Sequence, residues 1–249
     1  MDRWLHLLAA AIVLFHGAAH SVAGPTRFHF ARHGETVANR TGVYTTQTLN
    51  VLSAEGEAQV ERLTARLAGW TASHAPRPSR AGSFGFDVIC VSPVPRAMSS
   101  ILPYLRSTGS TAEVWPALAE CCHQKPEPES PGATLPEGKP VQIDPDRSAF
   151  FTLEGAPSRR WPAPKNFVQG IAQVRLLVRQ LKQRFDGSGK SVLLVGHACN
   201  GSLMMEMLLG REPRRAIKID NAMISVLEET WKGGYRLIQL NGKQVSGGR

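Results

Sequence analysis

The chain has 249 residues, which is enough for one large domain with a proper hydrophobic core. Lysine and arginine exceed aspartate and glutamate by nine charges, so the surface should attract anions, but no nucleic-acid recognition motif interleaves aromatic side chains with the basic residues. Composition therefore argues against nucleic acid as a partner, and no apolar stretch in mid-chain reaches the length of a membrane-spanning helix.

Residues 1–23 are typical of a secretory signal sequence. Arg3 precedes an apolar run over residues 4–15, and the small residues Ser-Val-Ala at 21–23 form a suitable cleavage site. We predict a secreted or periplasmic protein that is cleaved after Ala23 and is not stably inserted in a membrane. The alternatives are an uncleaved N-terminal anchor and a misassigned start codon.

Three short apolar runs along the chain are each followed by a tight polar turn and then by a helical pattern. They span residues 28–31, 86–91 and 191–195. Continuous apolar runs of this length are typical of strands that are buried on both faces of a parallel sheet. The sequence therefore predicts at least three parallel strands.

Two long helices with an apolar face are predicted between these strands. The first begins after Ser53, a plausible N-cap, and the second stops at Gly187. Their apolar positions recur at helical spacing, at Val60, Leu63, Leu67 and Trp70 in the first and at Ile171, Val174, Val178, Leu181 and Phe185 in the second. Alternating strands and helices predict an α/β protein, a three-layer α/β/α arrangement around a mostly parallel central sheet.

A further helix is expected after the second strand, with Pro93 at its first position and Pro103 ending or kinking it. The region from about 121 to 165 is rich in proline and has little periodicity, which predicts an insertion or lid within a single domain spanning 24–249. Its aromatic residues, Phe150, Phe151 and Trp161, indicate that part of it packs. The last 30 residues predict a two-stranded hairpin around the Gly-Gly pair at 233–234.

The four cysteines are even in number, which is compatible with an oxidising compartment. Their spacing matches no zinc-binding pattern, and we predict no metal site and no cofactor. Cys90 lies within an apolar strand and is expected to be a small core residue. A disulfide that involves Cys121 or Cys122 is compatible with the sequence, but the pairing is open.

Four cationic or potentially cationic side chains follow the three predicted strands. Arg32 and His33 come after the first, Arg96 lies in the turn after the second, and His197 follows the third. Because ligands bind beyond the carboxyl ends of parallel strands, these side chains should converge at one edge of the sheet. Arginine binds two phosphate oxygens at once, and histidine can act as a neutral nucleophile. An arginine next to His33 also disfavours its protonated form. The pattern predicts a phosphoryl pocket.

Four motifs together resemble the histidine phosphatase superfamily, in its phosphoglycerate-mutase-like branch. They are ARHGETVAN, SPVPRAMSS, ALAEC and VLLVGHACNGSL, and the resemblance extends from residue 27 to about residue 240. It implies a phosphoglycerate-mutase-like fold. It also implies that the protein is a phosphomonoester hydrolase that acts on a small phosphorylated substrate.

The resemblance also implies roles for individual residues. His33 would be the nucleophile and would form a transient phosphohistidine, and Glu120 would protonate the leaving oxygen and then activate water. The phosphoryl oxygens would be bound by Arg32, Arg96, His197 and Asn39. For Glu120, the neighbouring residues Glu113, Glu127 and Glu129 are competing candidates. Asn39 could equally cap a helix or turn.

Several features depart from the usual family pattern. In the loop that reads YTTQTLNVLSAEG, residues 44–56, Thr46 and Leu49 or Asn50 are nearest to the positions where the family often has a glycine and an acidic residue. Ala198 and Cys199 alter the surroundings of the second histidine. The extended basic signature of the mutases is missing. A phosphoglycerate-type mutase and an inactive protein that binds phosphorylated ligands remain alternatives, as does Cys199 as a reactive nucleophile. The oligomeric state is open.

Overall fold

The apolar runs of the sequence form the centre of a twisted sheet. The computed structural model describes residues 24–74, 85–122, 138–164 and 166–245, and the predicted signal sequence lies outside them. Within these residues the strands are β1 (Arg27–Arg32), β2 (Val88–Val91), β3 (Ala112–Val114), β4 (Phe151–Thr152), β5 (Ser191–Gly196), β6 (Ile224–Glu229), β7 (Tyr235–Leu240) and β8 (Lys243–Gln244). Their order across the sheet is β4-β3-β2-β5-β1-β6-β7-β8.

The three predicted strands are neighbours at the middle of this sheet. β5 lies between β1 and β2 and pairs in parallel with both. β3 and β4 continue the parallel half, whereas β6, β7 and β8 extend the other side antiparallel. The predicted C-terminal hairpin is confirmed as β6 and β7, which turn at Gly233 with φ of 78°. The sequence did not predict β3, β4 and β8, which have only two or three residues each.

The helices pack on both faces of the sheet. They are α1 (Val37–Thr41), α2 (Thr46–Leu49), α3 (Ala54–His74), α4 (Pro95–Thr108), α5 (Phe167–Phe185) and α6 (Ala198–Leu208), with short 3-10 turns at Pro116–Leu118 and Pro145–Arg147. Residues of α5 and α6 form one core with Phe28 and Phe30, and residues of α3 and α4 form a second core with Ala31. Because successive side chains of a strand point to opposite faces, β1 contributes to both cores. The predicted α/β fold with a mostly parallel sheet is confirmed.

Hydrogen bonds of serine side chains set the starts of α3 and α4, and the sequence predicted only the first of these starts. Ser53 caps α3 as predicted, because its Oγ accepts a hydrogen bond from the amide of Gly56 at 3.0 Å. The next helix starts later than predicted and does not end at Pro103, and a kink at this proline stays a prediction. α4 begins at Pro95 instead of Pro93, because the Ser92 hydroxyl accepts the Val94 amide at 3.2 Å and holds that segment as a turn. The helix also continues through Pro103, since it is buried on both sides of this proline.

The described part of the proline-rich region packs along the edge of the sheet. Phe151 is buried in β4, and Phe150 and Trp161 pack against the core on the α3 and α4 side, as the aromatic residues indicated. All four cysteines are buried thiols, and Cys90 is a core residue of β2 as predicted. Among the described residues, no helix combines the length and the apolar character that a bilayer crossing requires.

Candidate active site

The ends of β1, β2 and β5 bring the predicted site residues to one edge of the sheet. Arg32 is in register with Gly196 at the last position of β1 and β5. The ladder extends one step further, because the His33 amide donates to the Gly196 carbonyl at 3.0 Å and the Ser92 amide donates to Val195 at 2.9 Å. These bonds fix the backbone directly behind the functional side chains.

The imidazole of His33 is held in one tautomer. Its Nδ1 lies 2.7 Å from the carbonyl oxygen of Gly34, and its Nε2 lies 3.2 Å from Nε of Arg96. A carbonyl can only accept a hydrogen bond and a guanidinium can only donate one, so Nδ1 carries the proton and Nε2 carries the lone pair. The ring therefore presents a nucleophilic nitrogen to the arginine side of the pocket.

The protonation state of His33 follows from its surroundings. The side chain is almost entirely buried. Burial lowers the pKa of His33 well below its ordinary value, and the positive charges of Arg96 and Arg32 lower it further. At neutral pH the imidazole is therefore uncharged, in agreement with the effect expected of an adjacent arginine.

Gly34 makes the turn after His33 possible. Its amide donates to the Ser100 hydroxyl at 2.9 Å, and that hydroxyl donates to the Arg96 carbonyl at 2.7 Å. A Cβ at residue 34 would lie 2.9 Å from both the Gly56 carbonyl and Val60 Cγ2. The close approach of α3 therefore requires glycine here, and the turn couples the nucleophile to α4.

The two arginines form a pocket in which neither guanidinium is bonded to a carboxylate. Arg32 Nη1 donates to the Ile219 carbonyl at 2.9 Å, and Arg96 Nη1 donates to Asn50 Oδ1 at 3.2 Å. Burial lowers the pKa of Arg96 to about 10 and also lowers that of Arg32. Within the described ranges neither guanidinium has an ion pair, and Arg32 Nε is a buried donor with no acceptor. An anion with several oxygens would satisfy both groups.

His197 lies next to His33 in the site. The centroids of the two rings are 5.2 Å apart. His197 is the N-cap residue of α6, and its Nε2 lies 2.8 Å from the Ser92 hydroxyl. This contact joins the ends of β2 and β5 and fixes the orientation of the His197 ring beside His33.

The carboxylate of Glu120 lies at the N-terminus of α6. Its Oε1 accepts hydrogen bonds from the Asn200 amide at 3.0 Å and the Cys121 amide at 3.1 Å, and its Oε2 accepts from the Cys199 amide at 3.4 Å. Burial, and after it Cys199, raises the pKa of Glu120 and outweighs the Asn200 and Cys121 amides and Arg96, which lower it. A carboxyl group with a raised pKa can hold a proton closer to neutral pH, which suits a proton donor.

Two buried amides position the segment that carries Glu120. Asn200 Nδ2 donates to the carbonyls of Ala117 and Ala119, at 2.9 Å each. Gln173 Nε2 donates to the same two carbonyls at 3.2 and 3.1 Å. Side chains from both α5 and α6 are therefore hydrogen-bonded to the backbone of the segment directly before Glu120.

The structure brings together five of the six predicted residues, and the sixth has a local role. Asn39 Oδ1 accepts the Thr36 amide and Thr36 Oγ1 accepts the Asn39 amide, each at 3.2 Å, which forms a capping box at the start of α1. This is the alternative that the sequence left open. A contact of the Asn39 amide group with substrate stays a prediction.

Sequence reasoning missed several residues that support the site. Ser92 and Asn200 lie inside recognised motifs and could have been identified from them. Asn50, Gln173 and Asn221, which donates to the His33 carbonyl at 2.9 Å, come from segments that only the fold brings to the site. No spacing in the sequence signals such contacts.

The comparisons with known proteins identify the family and the fold. A model of the histidine phosphatase superfamily (branch 1) matches residues 28–242. No curated protein matches the chain. Among solved structures, the alpha-ribazole phosphatase from Shigella flexneri is similar with a TM-score of 0.58 and 20% identity, over 90% of this chain and 100% of its own.

Two further solved structures share the fold at similar distance. A mycobacterial glucosyl-3-phosphoglycerate phosphatase in complex with VO3 has a TM-score of 0.54 and 22% identity, over 87% of this chain and 99% of its own. A mutant phosphoserine phosphatase from Entamoeba histolytica in complex with phosphoserine has a TM-score of 0.54 and 20% identity, over 87% and 96%. The resemblance seen in the motifs is confirmed: the chain belongs to the histidine phosphatase superfamily, branch 1.

Proposed function

We propose that the protein is a phosphomonoester hydrolase that acts through a phosphohistidine on a small phosphorylated substrate. One observation carries the proposal. A neutral, buried His33 directs the lone pair of Nε2 towards Arg96, and neither Arg96 nor the adjacent Arg32 forms an ion pair within the described residues. A nucleophile next to two guanidinium groups that can bind an anion is the arrangement that phosphoryl transfer needs.

In the first step, the Nε2 lone pair of His33 attacks phosphorus from the side opposite the leaving oxygen. Arg32, Arg96 and His197 bind the three remaining phosphoryl oxygens and stabilise their charge in the transition state. The bond from phosphorus to the leaving oxygen breaks, and Glu120 gives its proton to that oxygen. The products are an alcohol and a phosphohistidine.

In the second step, the Glu120 carboxylate takes a proton from a water molecule, which attacks phosphorus. The phosphorus–nitrogen bond breaks, inorganic phosphate leaves, and His33 recovers its lone pair. The raised pKa of Glu120 supports both roles, because an acid and a base are needed in turn near the same pH.

The similar solved structures support the reaction class but not one substrate. By their names, one is an alpha-ribazole phosphatase, one a glucosyl-3-phosphoglycerate phosphatase and one a phosphoserine phosphatase. All three are phosphatases. The leaving groups share little beyond a phosphate ester, so the proposal here is limited to that class.

A rapid-quench experiment with a radiolabelled aryl phosphate tests the proposal. We expect wild-type protein to carry phosphate that is lost in acid and kept in alkali, and His33→Asn to carry none and to lose hydrolysis. Vanadate binding, followed by fluorescence, shows whether the variant keeps its pocket. Turnover by His33→Asn at the wild-type rate contradicts the mechanism. Vanadate binding by wild-type protein without hydrolysis contradicts the enzyme proposal.

A further inference from the structure

Three cysteine thiols form a cluster directly behind Glu120. The Sγ atoms of Cys121, Cys122 and Cys199 all lie within 4.8 Å of one another, and each side chain is at most 5% exposed. Cys121 and Cys199 also donate their backbone amides to the Glu120 carboxylate. The cluster therefore shares its backbone with the proposed proton donor.

Cys121 and Cys122 are in close contact within this cluster. Their sulfur atoms are 2.6 Å apart, well inside the ~3.5–4.0 Å at which non-bonded heavy atoms pack. Cys122 has φ of 63°, in the left-handed region that residues with a side chain seldom adopt. On the far side of Cys122, helix α5 approaches so closely that a Cβ at Gly170 would collide with the Cys122 sulfur. The surroundings therefore hold the two thiols against each other.

This geometry suits a sulfur–sulfur bond better than a metal ion. Two thiolates that bind one tetrahedral zinc ion at about 2.3 Å lie roughly 3.8 Å apart. Cys121 and Cys122 would have to separate by more than about 1 Å against the packing of α5. A disulfide needs the two sulfur atoms to approach each other by only about 0.5 Å, to a bond length of ~2.05 Å.

The cluster also favours a thiolate at Cys122. The neighbouring thiols of Cys121 and Cys199, together with the positive charge of Arg215, lower the pKa of Cys122 and outweigh burial and Glu120, which raise it. A thiolate is the reactive form of cysteine. The Cys121 thiol has a raised pKa, because it contacts Cys122 and Cys199 and is buried. The pair therefore contains a nucleophile and a resolving thiol.

We propose that Cys121 and Cys122 form an oxidation site that a small peroxide converts to a disulfide between adjacent residues. The Cys122 thiolate attacks one oxygen of hydrogen peroxide, the oxygen–oxygen bond breaks, and hydroxide leaves, which gives a sulfenic acid. The Cys121 sulfur then attacks the Cys122 sulfur, and water leaves with the proton of the Cys121 thiol. Overall, two thiols and one peroxide give one disulfide and two water molecules.

The disulfide would be easy to reduce. Adjacent Cα atoms are about 3.8 Å apart across a trans peptide, which is less than the ~4.4–6.8 Å that unstrained disulfides span. Strained disulfides are the labile ones. A thiol reductant should therefore restore the reduced pair, and Cys199 lies close enough to assist as a third thiol.

Formation of a disulfide between Cys121 and Cys122 closes a small ring and would change the environment of Glu120. Ring closure changes the backbone angles of Cys121, and the amide of this same residue donates to Glu120 at 3.1 Å. The effect on turnover rests on the proposed function, in which Glu120 is the proton donor. We expect oxidation to slow hydrolysis of an alkyl phosphate by about tenfold or more, because general acid catalysis contributes ~10²–10⁴-fold.

The test compares reduced and peroxide-treated protein. The treated protein should be 2 Da lighter by intact mass, with the change assigned by peptide mapping after alkylation to the peptide that contains Cys121 and Cys122. Alkyl phosphate turnover should fall and recover with a thiol reductant. Cys122→Ser and Cys121→Ser should each abolish both effects, whereas the control Cys90→Ser, outside the cluster, should keep them.

Other outcomes overturn the proposal. One such outcome is that all three thiols stay fully alkylatable after peroxide treatment. Another is a disulfide that includes Cys199. Bound zinc or copper that protects the thiols from alkylation until a chelator is added would make the cluster a metal site. The mass measurement needs no enzymatic activity, so a protein that forms the disulfide but hydrolyses nothing retains the oxidation site and loses only the proposed function.

Discussion

Replacing Glu120 with glutamine should separate the two chemical steps of the proposed reaction. The change removes the acidic proton of the carboxyl group and keeps the shape of the side chain. A glutamine oxygen at the Oε1 position still accepts the amides of Asn200 and Cys121, at 3.0 and 3.1 Å. The amide group replaces Oε2 and loses the longest contact, to the Cys199 amide at 3.4 Å.

The expected magnitudes decide what the experiment can resolve. Loss of one weak hydrogen bond costs about 1 kcal/mol of folding stability. Loss of general acid catalysis costs ~10²–10⁴-fold in rate, which is about 2.7–5.4 kcal/mol in activation free energy. The catalytic loss should therefore far exceed any structural one.

The assay is pre-steady-state release of the leaving group from two substrates. Nitrophenolate needs no proton to leave, so Glu120→Gln should release one equivalent per site in a fast burst and then slow down, because water is no longer activated. An alkyl phosphate should give no burst, because its first step needs the acid. The control is Glu113→Gln, which removes the partner of Arg184 at 2.7 Å and should leave both progress curves unchanged.

Two results would refute this reasoning. If Glu120→Gln slows the aryl burst and the alkyl reaction equally, the residue stabilises the pocket and transfers no proton. If alkyl phosphate turnover is unchanged, another group is the acid. The thermal midpoint of the variant, compared with wild type, excludes unfolding as the cause.

Three further predictions concern positioning and stability. Ser92→Ala removes the hydroxyl that orients His197 and should lower kcat/KM by about 10- to 100-fold, measured with an aryl phosphate, without a matching loss of folded protein. The pKa of His33 is lower in the folded than in the unfolded protein, so the unfolded chain binds a proton first as the pH falls. The free energy of unfolding should therefore decrease below about pH 6.5, by up to ~1.4 kcal/mol per pH unit. Urea titrations at several pH values should show that His33→Asn lacks this contribution. Gly56→Ala places a Cβ against the backbone carbonyl of Glu35 and should lower the thermal midpoint. Gly69→Ala lies in the same helix, has no atom within 4 Å of the added Cβ, and should raise the thermal midpoint slightly.

The central part of the fold was predictable because its sequence pattern is local. Strands buried on both faces need continuous apolar runs, and the runs at 28–31, 86–91 and 191–195 became β1, β2 and β5. The edge strands β3 and β4 are set by pairing with a neighbour, and segments of two or three residues have no periodicity to detect. Pro103 shows the opposite case, in which burial on both sides outweighs a local helix breaker.

The site was predictable where chemistry restricts the residue type. A nucleophile and phosphate-binding cations admit few substitutes, so Arg32, His33, Arg96 and His197 stand out at strand ends. The residues that aim them are amides and hydroxyls such as Ser92 and Asn50, which are common on any surface. Their role depends on contacts between segments distant in the chain, which sequence spacing does not encode.

The position of β1 also determines when this protein can fold. Both neighbours of β1, the strands β5 and β6, come from the last quarter of the chain. Until residue 191 and beyond have been synthesised, Phe28 and Phe30 lie on a strand with two open edges. Such exposed edges promote aggregation, and contacts between distant segments form slowly. Truncation before β5 should therefore give an aggregating fragment, and the nascent chain should depend on a holding chaperone until its C-terminal quarter is complete.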